Sequence, residues 1–149
     1  NKEKNQWCQV NTQTLYSDKI TCSNNVNVNF VKGIVSNTIK LTGYVSESNK
    51  NIVYINDKEL QIEPSKSIQN KSEEFSWGYL GSGPAQLALA ILMEYLPYNW
   101  ALNLYQRFKE VSISKLPQTN FQVNIELRVI LLTILNERHD NNTKTDSDN

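Results

Sequence analysis

Between Asn24 and Val35 apolar and polar residues alternate, with Val26, Val28 and Phe30 set against Asn25, Asn27 and Asn29. A period of two is what a half-buried strand requires, because successive side chains leave opposite faces of a sheet. Residues 37–46 repeat the pattern and put Ile39, Leu41 and Gly43 on one side. A glycine inside such a run predicts a bulge or a close approach of another group to the backbone. Val53 and Ile55 flank Tyr54, Asn56-Asp57 supplies a turn, and Leu60 and Ile62 return, which together read as a hairpin. Pro64 closes the returning strand because it has no N–H to give a ladder. Residues 65–74 read as a polar loop, and Phe75, Trp77 and Tyr79 alternate along a further short strand. Before residue 15 the chain is polar apart from Trp7, Cys8 and Val10, as in a loose arm or an edge strand.

At Gly81 the period changes. Ser82 or Gly83 can cap a helix, Pro84 suits its first turn, and Gln86 can reach back as in a capping box. Leu87, Ala88, Ile91, Leu92 and Tyr95 form one stripe, and Leu89, Met93 and Leu96 fill the opposite side. A helix apolar on nearly all sides belongs in the interior. Pro97 stops it. A second helix runs from an Asn99 cap to Leu116, with Leu104, Phe108 and Val111 at helical spacing, and Pro117 ends it. A third lies within residues 119–138, capped by Asn124, with Ile125, Val129 and Leu132 turned inward. Strands followed by helices predict an α+β fold: an amino-terminal antiparallel sheet packed on a carboxy-terminal bundle of three helices around a buried central one. The corresponding parts are a β extension over 1–40, the α+β domain over 41–136 and a disordered polar tail over 137–149.

The run Trp77, Gly78, Tyr79, Gly81, Ser82, Gly83, Pro84, Ala85, Gln86, continued by Leu-Ala-Leu-Ala-Ile-Leu, resembles the signature of a family of small prokaryotic proteins of unknown function. Tyr105, Gln106, Phe108, Lys109, Leu116 and Pro117 are similar to a second motif of that family, and Leu41–Ser46 to its early strand. The likeness spans about 41–135. At Leu80 the chain departs from it, since relatives carry glycine there. The resemblance implies a setting in archaea, bacteria and their plasmids and viruses, with a role in modulating host defence or replication, but no defined activity.

Composition narrows the field. Lys plus Arg and Asp plus Glu both total 15, so the net charge is zero and no basic stripe exists to coat nucleic acid. A chain of 149 residues buries roughly 70% of its unfolded surface, enough to fold without staples. Cys8 and Cys22 read as two reduced thiols, with a bridge as the alternative. The apolar runs near 84–93 and 129–135 are too short to span a bilayer, and the first ten residues lack the apolar run of a signal peptide. The expectation is a cytoplasmic protein away from membranes.

Two readings stay open for Gly-Ser-Gly-Pro. One is a tight joint between a strand and a buried helix. The other is an anion or nucleotide site at the helix amino terminus, formed by Gly81, Ser82, Gly83 and Gln86 with Arg107. Against the second stand Gln86 where a dinucleotide fingerprint has glycine, the N–H that Pro84 lacks, and the absence of a following Lys-Ser/Thr. Ser82 lies in Gly-Ser-Gly rather than Gly-x-Ser-x-Gly, and the only histidine is His139, which excludes a Ser-His-acid triad. Neither a metal site nor a cofactor is expected. Glu73 and Glu74 beside the aromatic triplet oppose a base-stacking platform and favour core packing. The functional expectation is a non-enzymatic binding protein for a protein partner or a nucleotide-like anion. Its alternative is an enzyme acting on a phosphorylated or nucleotide substrate through Ser82, Gln86 and Arg107. The amino-terminal edge offers a surface for a homodimer.

Overall fold

The structure is a computed structural model that describes Asn29, Val31 and residues 38–148, with side chains through Arg138. β1 (Ile39–Val45) leads through a bend at residues 46–50 into β2 (Asn51–Ile55), and β3 (Lys58–Glu59) follows directly. Asn56 and Asp57 carry φ of 51° and 71°. This pair of left-handed residues is what a two-residue hairpin turn demands, and Asn and Asp tolerate it better than branched residues. The Asn56 side chain secures the turn by accepting from Lys40 N at 2.8 Å.

Four antiparallel strands lie in the order β3-β2-β1-β4. The last, β4 (Phe121–Ile125), comes from a stretch that reads as the start of a helix. Phe121, Val123 and Ile125 alternate with Gln122 and Asn124, the period of a strand, and the run pairs with the far side of β1. The last helix therefore begins only at Leu127, and its phase moves: Leu127, Leu131 and Ile134 are buried while Val129 is 56% exposed. It continues to Asp148, so the backbone of the polar stretch 137–148 is helical rather than irregular. Once a helix is nucleated, each further residue adds a hydrogen bond for one residue fixed.

Other expectations are corrected as well. Ile62 and Pro64 do not finish a strand; they open helix α1 (Glu63–Ile68), where the N–H that proline lacks would be unpaired anyway. Residues 75–79 form no strand, because Gly78 at φ 88° breaks the extended run. Asn29 and Val31 are helical rather than extended, and Val31 is fully buried. The remaining strands expected before residue 37, both cysteines and the homodimer edge lie outside the described residues.

The three longer helices are α2 (Ser82–Met93), α3 (Tyr98–Val111) and α4 (Leu127–Asp148), with a 3-10 turn at Ile113–Lys115. Every residue of α2 from Gly83 to Met93 is buried. Leu87, Leu89, Ile91 and Leu92 join Leu41, Val53 and Ile55 of the sheet and Trp100, Leu104 and Phe108 of α3 in one hydrophobic core. The fold is α+β, with the oily helix at its centre.

Candidate functional site

The loop before α2 is shaped by what its glycines admit. A β-carbon on Gly83 would lie 1.9 Å from Ser76 Oγ, and one on Gly81 would lie 2.6 Å from the Tyr79 ring. Ser76 Oγ and Tyr79 Oη are themselves hydrogen-bonded at 2.8 Å. Loop residues 76–79 thus fold back over the Gly-Ser-Gly turn and occupy the space that side chains there would need. Gly78 has positive φ, and its N–H donates to Ile113 O at 3.0 Å while Gln118 Nε2 donates to its carbonyl at 2.7 Å. Gly81 caps α2 in an extended conformation, and no side chain caps this end.

Trp77 anchors the loop from below. Its Nε1 donates to Thr119 O at 2.9 Å, and its ring meets Phe121 edge-to-face at 5.1 Å. Phe121 in turn lies across Gly43, where a β-carbon would come within 2.3 Å of the ring. The close approach expected at Gly43 is this one. Phe75 and Trp77 are core residues, whereas Tyr79 is 45% exposed, so the aromatic triplet does not share a face.

Gln86 is fully buried and does not form a capping box. Its Oε1 accepts from Lys71 N at 2.6 Å and Ser72 N at 3.0 Å, and its Nε2 donates to Ser65 Oγ at 2.8 Å and Gln69 O at 3.1 Å. Both acceptor positions and both N–H groups are used, so the amide is saturated by protein. It ties α1 and the 69–72 loop to the central helix.

Arg107 grips Glu137 with Nε at 3.0 Å and Nη2 at 3.1 Å, and Glu110 with Nη1 at 3.0 Å. The two carboxylates raise its pKa further, and the guanidinium holds the Glu137 carboxyl below its ordinary value. These partners sit on α3 and α4, and none belongs to the signature. Of the five site residues read from the sequence, Gly81, Ser82 and Gly83 stand together, Gln86 points into the core behind them, and Arg107 bridges two other helices. Among the described residues no three His, Cys, Asp or Glu side chains gather as metal ligands, and no helix is long and apolar enough to cross a membrane.

Tyr79 at 45%, Leu80 at 65% and Ser82 are exposed on this braced loop. Val45, also 45% exposed, is linked to the same end of the molecule: its N–H donates to Asn120 Oδ1 at 3.1 Å, next to the Thr119 carbonyl that holds Trp77. Sequence reasoning missed this outward set because alternation placed Tyr79 with Phe75 and Trp77. The one available signal was Leu80, a large apolar residue between two glycine turns.

A family model described as a family of unknown function, DUF6166, matches residues 41–131, which is more than half of the chain. No curated protein and no solved structure matches it.

Proposed function

Because the chain belongs to the DUF6166 family of unknown function, no activity comes with membership, and we propose from the site itself that it is a non-enzymatic binding protein for a protein partner. The observation that carries this reading is the division of labour in the signature. Gln86 is saturated inside, the three glycines are filled by neighbouring groups, and Tyr79 and Leu80 face outward from a loop fixed on both sides. Rigid, exposed apolar residues bind at low entropic cost, since little is left to order on contact. The partner that fits is a protein with an apolar pocket for the Tyr79–Leu80 ridge and an acidic rim facing the uncapped end of α2. If that partner is a host protein, the chain acts as a modulator of host machinery.

The test is site-specific photo-crosslinking from position 80 of the full chain in a lysate of the source cells, with Leu80→Asp as control. A discrete protein adduct is expected, together with loss of that protein from pull-downs by Leu80→Asp, which should fold normally. In parallel, ATP, a short oligonucleotide and inorganic phosphate are titrated while thermal stability is followed. A ligand at a hundredfold excess over its Kd stabilises by about 2.7 kcal/mol. Stabilisation of that size by a nucleotide, with no adduct at position 80, would replace this reading with the anion site at Gly81–Gly83.

A further inference from the structure

The two edges of the sheet are built differently. β3 has two residues, Lys58 and Glu59, both charged and exposed, and Leu60 N continues the pairing by donating to Val53 O at 2.8 Å. A short, charged edge deters further strands. β4 has five residues, Phe121 to Ile125, none of them charged and none proline, and it runs along β1 in unbroken register. Among the described residues β1 is its only neighbour.

The free side of β4 follows from the hydrogen-bond directions. Lys40 exchanges bonds with Asn56 on the β2 side, its N–H donating to Oδ1 and its carbonyl accepting from Asn56 N at 2.9 Å. Alternation along β1 then aims the main chain of Ile39, Leu41 and Gly43 at β4. Their register partners Ile125, Val123 and Phe121 point back at β1. The N–H and C=O groups of Gln122 and Asn124 therefore point away from the sheet, and both residues are exposed.

We propose that β4 is a dimerisation edge that pairs antiparallel with β4 of a second copy of this chain, about a twofold axis at Val123. That register sets Gln122 opposite Asn124 of the second copy, so the outward main-chain groups close a ladder and the side-chain amides meet. Phe121 faces Ile125 of the second copy on the apolar side, and the half-buried Val123 faces its own copy. An axis at Gln122 would set Ile125 against Thr119, and one at Asn124 would set Gln122 against Glu126. The Val123 axis alone matches apolar with apolar and amide with amide, as an isologous contact requires. The resulting sheet is continuous across both copies and lacks an unprotected edge.

Sedimentation equilibrium of the full chain over a dilution series tests this. Twice the chain mass is expected at the concentrated end. Gln122→Glu combined with Asn124→Glu places like charges opposite one another and weakens association roughly tenfold or more. Gln122→Lys combined with Asn124→Glu places opposite charges at the same positions and keeps association near that of the parent. Both variants are expected to remain folded, which circular dichroism checks. A monomer at every concentration, a dimer indifferent to the two glutamates, or equal weakening by both pairs of substitutions would each overturn the proposal.

Discussion

A β-carbon at Gly83 would collide with the Ser76 hydroxyl, and that single contact explains why the first turn of α2 needs glycine there. Overpacking at such a point costs about 1–3 kcal/mol. Gly83→Ala is therefore expected to lower the unfolding free energy measured in urea by roughly 2 kcal/mol. Ser76→Gly in the same chain should recover part of the loss, and a double variant no better than the single one would place the strain elsewhere. Gln86 shows how far a residue's role can lie from its local pattern. In sequence it is a polar interruption three residues into an apolar helix and reads as a capping partner. In the fold its partners lie 14 to 21 residues earlier, at Ser65, Gln69, Lys71 and Ser72, and nothing in the helical period points to them. Leaving the Lys71 and Ser72 N–H groups without an acceptor would cost each its desolvation penalty, which accounts for an amide in an otherwise oily helix.

At the level of elements, α3 and α4 are joined by the Arg107–Glu137 fork and by Arg138, which donates to Asn103 O at 2.8 Å. The hydrogen bond from Arg107 holds the Glu137 carboxyl below its ordinary value in the folded chain. A carboxyl with a depressed folded-state pKa adds stability that is complete above its unfolded value and disappears as the pH falls through the folded one. The stability advantage of the parent over Glu137→Gln should thus shrink between about pH 7 and about pH 3 in urea titrations. An advantage that stays constant across that range would contradict the pairing. Both side chains are about two-fifths exposed, so solvent screens the pair and the effect is modest. Helices α2 and α3 were legible from their spacing and from Pro84, Pro97 and Pro117. β4 was not, because its five-residue alternation is a short signal between two choices, a strand or an early start of the helix that follows. Only the unpaired side of β1 decides between them.

For the whole molecule, the central place of α2 sets the order in which parts open. With every residue from Gly83 to Met93 buried, its amides can exchange only when the core itself opens. Native-state hydrogen exchange is expected to find the slowest amides in α2, with those of the exposed 118–120 segment and the 46–50 bend far faster. If α2 amides exchanged as fast as those of the bend, the helix would not be the centre of the fold. The sequence by itself determined that α2 is buried, that strands precede helices, and where the Asn56-Asp57 turn falls. These are local properties, set by hydropathy period and turn chemistry. Only the tertiary structure decided that Gln86 ties a distant loop, that Arg107 belongs to a helix–helix bridge, that β4 completes the sheet, and that Tyr79 and Leu80 face outward. The partner of a buried polar group or of a strand edge lies far along the chain, and the pattern around a residue does not encode what the fold brings to meet it.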